Sequence, residues 1–323
     1  MVRYALRRLL WLPIILFGVS AIAFFVLRGL PGQDPAAKIA GQGATPEQLE
    51  RIRTDLGLER PIFVQYGEWL KELVTLNPGR EYRSGGGDAS SGEPITEGFA
   101  RRFPPTFQLL FMSLVITAVT GIAFGIIAAV WRNSPFDYFV RFFAVLAASI
   151  PEFFLLALLI IIPSILFAYS QPVGGYVPLY EGPLTNLRLI GPAAIIIGVS
   201  SSAGLMRLTR TTMLEVLRSD YVRTAHAKGL RGHTVIITHA LRNSMTPIVT
   251  ALGTAFVGIL GGSIIAENIL SIRGLGEWFF MAAFTSDLPV VQFLTVYTAA
   301  VVVLVNLVVD LSYGFIDPRV RYS

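Results

Sequence analysis

Residues 221–243, YVRTAHAKGLRGHTVIITHALRN, decide how this chain is to be read. They hold all three histidines, His226, His233 and His239, together with Arg223, Lys228, Arg231 and Arg242. On either side lie uncharged runs, Leu189–Met206 before and Met245–Ala266 after. A basic, glycine-broken segment between two apolar ones has the pattern of a loop joining two membrane helices.

The flanking sequence extends that pattern. Of 323 residues 53% are hydrophobic and only 15% charged, with a mean hydropathy of +0.62. An ordinary soluble domain is roughly 25% charged. A helix crosses the ~30 Å hydrocarbon layer with about 20 apolar residues. Further runs of that kind are Leu9–Leu27, Phe103–Val130, Phe142–Tyr169 (interrupted only by Glu152) and Leu288–Val309, which makes six. Backbone groups in lipid must be satisfied within the segment, and the period-two alternation of a barrel is not visible. The expected fold is therefore all-α, with six transmembrane helices. Arg3, Arg7 and Arg8 before the first run suggest a signal peptide. Its 19 uncharged residues exceed a usual signal core, however, and Arg28 with Leu30-Pro31 is a poor cleavage site, so the span is read as retained.

Basic residues set the orientation. With the N-terminus inside, segments 1–8, 131–141, 207–242 and 313–323 carry fourteen Lys and Arg, while the short outer loops 170–188 and 267–287 carry only Arg188 and Arg273. Both termini are thus expected in the cytoplasm. The chain divides into a first helix (1–30), an extracytoplasmic loop (31–102), a five-helix core (103–312) containing a cytoplasmic loop (215–244), and a tail (313–323). The net charge of +5 falls largely in the cytoplasmic loops, and no nucleic-acid partner is expected. In the outer loop, Thr45-Pro46-Glu47 signals a helix start, with Leu49, Ile52 and Leu56 following at helical spacing, and a second short helix is expected over 61–76. Ser84–Gly92, SGGGDASSG, reads as flexible; without a following GxxxxGK[ST] it is no phosphate loop.

Within the opening segment, Leu217, Tyr221, Ala225 and Lys228 share a helical face and Gly229 ends it. Gly232 gives a second flexible point, Val235, Ile236 and Ile237 begin another short helix, and Pro247 falls near the start of span five, where a missing N–H costs little. Helix, glycine turn and helix suit a groove on a partner, with small Ala225, Ala227 and Gly229 allowing close approach. The same residues also suit a basic segment resting on lipid headgroups. Histidine spacings of seven and six do not match short helical ligand pairs, and no carboxylates complete a shell, so no metal site is expected. The absence of cysteine removes disulfide and thiolate chemistry.

The spacing resembles the EAA loop of binding-protein-dependent ABC importer permeases, in which Glu-Ala-Ala, three residues, Gly, nine residues and Ile-x-Leu-Pro follow in order. Here Arg223-Thr224-Ala225 takes the triplet, Gly229 follows, and His239-x-Leu241-Arg242 closes the pattern. The departures resemble the dipeptide, oligopeptide and nickel subfamily, whose form is YVxxARAKGL and HxLRN; His226 replaces its frequent Arg. The opening YALRRLLWLPIILFGVSAIAFFVLRGLPGQDP, LGLERPIFVQYGEWL, RRFPPTFQL, ENILSIRGLGEWFFMA and the closing DPRVR resemble the same family, while Val74–Gly98 departs from it.

The resemblance implies an ABC permease subunit in a bacterial or archaeal cytoplasmic membrane. It implies a coupling helix seated in a cytoplasmic ATPase and formed by Tyr221, Arg223, Ala225, His226, Ala227, Lys228, Gly229, Leu230, His239, Leu241, Arg242 and Asn243. It further implies a homologous second permease, two ABC ATPases carrying ATP and Mg, and an extracytoplasmic binding protein. The chain itself then binds no cofactor and is no enzyme. Peptide is the expected cargo, with nickel or another small solute as the alternative.

Translocation-path candidates come from polar residues at membrane depth. Ser113, Thr117 and Thr120 share a face of span two, Ser201 lies in span four, Asn306 in span six, and Glu152 follows Pro151. Small hydroxyl residues also serve helix packing, and Glu152 could instead bond backbone freed by Pro151. An intramembrane serine protease would need a base at that depth, yet every histidine is in the cytoplasmic loop. A self-sufficient secondary transporter would be supported by an inverted repeat, which is not visible.

Overall fold

The computed structural model describes residues 2–29, 35–41, 44–82 and 92–316. Among them the chain is helical, with no strand beyond an isolated bridge between Arg80 and Pro94. The helices are α1 (Val2–Gly29), α2 (Pro35–Ala40), α3 (Pro46–Asp55), α4 (Ile62–Val74), α5 (Ile95–Val130), α6 (Pro135–Ser149), α7 (Glu152–Phe167), α8 (Pro183–Leu217) and α9 (Asp220–Ala227). There follow α10 (Gly232–Thr234), a π-helical segment (Val235–Leu241), α11 (Arg242–Ile269), α12 (Leu275–Thr285) and α13 (Leu288–Ile316). Residues 84–91 of the glycine–serine stretch, residues 31–34 and the tail from 317 lie outside the described residues.

Among the described residues five helical stretches, in α1, α5, α8, α10–α11 and α13, are long and apolar enough to cross a membrane, and α6 with α7 make a sixth if the bent pair is one span. The expected single span over 142–169 is corrected here: it breaks by 91° between Ser149 and Glu152. Pro151 has no N–H to continue α6, and its ring drives Ile150 out of the helical region to φ −94°, ψ 121°. The N–H groups of Phe154 and Leu155 then bond to the Pro151 carbonyl and start α7. The Glu152 carboxylate accepts from Ser201 rather than from this backbone.

Two more expectations change. Pro247 lies inside a continuous helix from Gly232 to Ile269, so Val235–Ile237 open span five instead of forming a separate helix. α8 stops at Leu217 and Ser219 is extended (φ −70°, ψ 151°), so Leu217 does not share a helix with Tyr221. In the outer loop the start of α3 is a full capping box: the Thr45 hydroxyl accepts from the Gln48 N–H at 3.3 Å, and the Gln48 side chain accepts from the Thr45 N–H at 2.9 Å.

The chain forms two compact units: Met1–Ala5, Pro105–Arg273 and Val305–Ser323 in one, Leu6–Pro104 and Gly274–Leu304 in the other. The first is built on the crossing of α5 and α8. The Gly121-Ile-Ala-Phe-Gly125 step of α5 lies against Leu205, Met206 and Thr209, and Gly198 of α8 lies against Ser113 and Ile116. Small residues at this spacing let helix backbones approach closely in lipid, where apolar burial gives no drive of its own. Leu109, Leu156, Ile190, Ile197 and Ile259 fill the buried core around that crossing.

The second unit packs Phe24 against Tyr66, Trp69 and Val296, and Ile95 against Leu275, Trp278 and Leu294. Its outer segment is pinned where the Tyr82 N–H donates to the Asp287 carboxylate at 2.9 Å. Burial pushes the Tyr82 phenol up to about 12, which keeps it neutral throughout the physiological range.

Candidate functional site

The element between α8 and α11 is built in three steps. Ser219 turns the chain out of α8, and α9 begins at Asp220, whose charge suits a helix N-terminus. Val222 and Ala225 point inward onto Val216, Leu217 and Val235 and are buried. This spacing of three leaves Tyr221, Arg223, Thr224, His226, Ala227 and Lys228 exposed on the outer face. Ala225 thus packs inward, whereas Ala227 is the small residue presented outward.

α9 closes on Gly229. Its φ of +77° lies in the left-handed region, its N–H donates to the His226 carbonyl at 2.9 Å, and the Leu230 N–H reaches the Ala225 carbonyl at 3.3 Å. This pair of bonds is the Schellman closure, which satisfies carbonyls that a helix end leaves unpaired. A Cβ on Gly229 would meet nothing within 4 Å, so within this chain the glycine is required by conformation and not by crowding.

The outgoing segment of the element is tied back to α9. Asn243 Nδ2 donates to the Tyr221 hydroxyl at 2.8 Å and to the His239 carbonyl at 2.9 Å. Between them runs the seven-residue π-helical segment, a looser winding often found at functional positions. The structure therefore brings Tyr221, His239 and Asn243 together; Ala240 is buried in this segment, Leu241 is half-buried and Arg242 exposed. Arg223 pairs with Asp220 at 3.6 Å on the open surface, a contact of small energetic weight. Removing the Tyr221 hydroxyl (Tyr221→Phe) is expected to loosen α9 by about 1 kcal/mol, the net worth of one hydrogen bond. Faster backbone hydrogen exchange confined to 221–230 would show it, and unchanged exchange would refute it.

Of the membrane-depth residues, Ser113 and Thr117 are buried in the α5–α8 crossing, where the Thr117 hydroxyl donates to the Gly198 carbonyl at 2.9 Å. Thr120 is half-buried and donates to the Ile116 carbonyl one turn back, and Asn306 is exposed on α13. Glu152 and Ser201 are brought to 3.5 Å, with Gly262 leaving the space that the Glu152 carboxylate occupies. No group of three or more potential metal ligands forms among the described residues.

Sequence reasoning passed over one cluster. Asp137 is buried and forms a two-pronged ion pair with Arg210, joining the α5–α6 turn to α8. The signal available was an acid standing among the basic residues of a short inner loop.

The geometry is that of a polytopic helical protein with an exposed, glycine-closed helix between two of its long apolar helices. Comparison with known proteins gives the family. Residues 121–322 match the binding-protein-dependent transport system inner membrane component, and residues 1–110 match the N-terminal region of such membrane components. The chain belongs to this family. It is 39% identical over 312 residues to a Brucella abortus protein provisionally named a peptide transport system permease, covering 97% of this chain and 96% of that one. It is 35% identical over 347 residues to the dipeptide transport system permease protein of Escherichia coli, covering all of both chains. Among solved structures, an inward-facing form of the MetNI methionine ABC transporter aligns with 70% of this chain and 99% of its own at a TM-score of 0.55 and 17% identity, a likeness of fold.

Proposed function

We propose that this chain is the permease subunit of an ATP-driven importer and forms half of a path for peptides. It spans the membrane six times, with α6 and α7 as one broken span and both termini in the cytoplasm. A homologous second permease completes the path, two ABC ATPases bind ATP and Mg, and an extracytoplasmic binding protein delivers the cargo. The chain holds no nucleotide and catalyses no reaction. Its residues from Tyr221 to Leu230, with His239, Leu241, Arg242 and Asn243, form the surface on which an ATPase pushes.

The observation that carries this reading is the exposed α9 helix, closed by Gly229 and tied to span five through Tyr221 and Asn243. The family resemblance supports a coupling role for this segment, and its inward face, Val222 and Ala225, is already packed on Val216, Leu217 and Val235. Its outward face therefore remains for a partner. The peptide cargo is supported by the full-length likeness to dipeptide and oligopeptide permeases. On this reading Glu152, Ser201 and Asn306 are path candidates, whereas Ser113, Thr117 and Thr120 contribute through packing. The test is import by vesicles holding all subunits. Labelled dipeptide should accumulate only with ATP and binding protein; accumulation driven by an ion gradient without ATP would overturn the proposal.

A further inference from the structure

We propose that Asp137 and Arg210 form a clamp through which movement at the coupling element reaches the broken span α6–α7, making Asp137 a positioning residue for energised transport. This rests on the permease reading above. Asp137 occupies the first turn of α6 and is wholly buried. Its Oδ1 accepts from Arg210 Nε at 2.7 Å, and its Oδ2 accepts from Arg210 Nη2 at 2.9 Å and from the Asn133 N–H at 2.9 Å. Asn133 holds a left-handed φ of +62°, and the Ser134 hydroxyl accepts from the Asp137 N–H at 3.2 Å, so the turn itself is fixed. Arg141 Nε lies 3.4 Å from the same carboxylate, its guanidinium 4.4 Å from the Tyr138 ring centre. One carboxylate thus joins the α5–α6 turn, α6 and α8.

Position turns this cluster from a staple into a link. Arg210 stands two turns before the end of α8 at Leu217, from which Arg218 and the extended Ser219 lead into α9. Further along the two helices, the buried cluster that holds Val140 and Ala144 of α6 and Ala203 and Met206 of α8 is apolar, and apolar contact is non-directional. A two-pronged guanidinium–carboxylate pair fixes distance and orientation together, and sliding would break it. A purely static join at this depth could be apolar, since apolar replacements of buried ion pairs are often neutral or stabilising. Beyond Ser149 the 91° break lets α6 move without dragging α7 along one axis. The clamp therefore gives α8 a rigid hold on a jointed element.

The test uses the assembled complex in vesicles, with ATP hydrolysis and dipeptide import measured together. Arg210→Lys keeps the charge and removes the fork, and Asp137→Asn removes the charge. Both are expected to hydrolyse ATP at near wild-type rates while importing about tenfold less peptide per ATP. An unchanged ratio in Arg210→Lys would overturn the clamp, as would parallel loss of hydrolysis and import in proportion to lost assembly. If Asp137→Asn does not assemble, Arg210→Lys decides alone. A wild-type complex that imports no peptide with ATP would overturn the permease reading and the clamp with it, whereas normal wild-type import with unaltered variant ratios overturns the clamp alone.

Discussion

Gly229→Val is expected to leave the protein inserted and folded, leave ATP hydrolysis running, and cut peptide import by more than tenfold. The left-handed φ of +77° at this position costs an L-residue about 1–2 kcal/mol, and a β-branched side chain is the least tolerant of it. The strain falls on two bonds, Gly229 N–H to His226 and Leu230 N–H to Ala225, that together finish α9. Once they open, α9 frays from its C-terminal end, where Ala227 and Lys228 are presented. A short helix of eight residues has no reserve, because isolated helices of that length are marginal in water. Two controls separate this from a general effect of bulk. Gly229→Asn introduces a residue that tolerates the left-handed region and should retain most import. Gly232→Val lies three residues on, with no left-handed φ and open space around its Cβ, and should be mild. Equal import by Gly229→Val and wild type would refute the role given to this turn.

The second large effect is expected inside the membrane. A Cβ on Gly125 would lie 2.6 Å from the Thr209 Cβ and 2.9 Å from the Met206 carbonyl oxygen. One on Gly198 would lie 2.7 Å from the Ile116 Cβ and 2.8 Å from the Ser113 carbonyl oxygen. Backbone cannot yield as a flexible side-chain tip can, so α5 and α8 must separate. Separation would also lengthen the Thr117 bond to the Gly198 carbonyl and leave that hydroxyl unpaired in a dry interior. Overpacking alone costs about 1–3 kcal/mol, and a branched side chain forced between two backbones belongs at or beyond the top of that range. Gly125→Leu and Gly198→Leu should therefore abolish monodisperse protein in detergent, while Gly125→Ala lowers the melting temperature by several degrees. Gly204→Ala, on an exposed part of α8 with nothing within 4 Å, should be silent. Normal yield and melting temperature for Gly125→Leu would mean that the crossing is not set by these glycines.

Much of this architecture was legible because lipid imposes a strong length and charge code. Five of the six apolar runs became uninterrupted helices, and the Thr45-Pro46-Glu47 start of α3 fell where its capping residues placed it. What the code missed is backbone detail that hydropathy does not see. The Phe142–Tyr169 run is apolar enough for one span, yet Pro151 removes a donor and forces Ile150 extended, which turns one helix into two. Pro247, by contrast, is tolerated inside a helix, so proline alone did not reveal which site would break. The Gly121-xxx-Gly125 spacing was present in the sequence as a packing signal. Its partner surface, Leu205 to Thr209, became evident only with the helices in place.

For the site, glycine spacing located the turn at Gly229, and the structure supplied its reason. The bond between Tyr221 and Asn243 joins residues 22 apart and has no local signature. The pairing of Asp137 with Arg210 spans 73 residues, and the topology count took Arg210 as one of the inner-loop basic residues and left Asp137 out.

The most direct test of the coupling claim uses the absence of cysteine from this chain. A single Ala227→Cys, on the exposed face of α9 beside the Gly229 turn, carries a photoactivated cross-linker in the assembled complex. Irradiation should join this chain to an ATPase subunit, with a yield that changes when ATP is bound. Adducts with lipid alone, under every nucleotide condition, would contradict it.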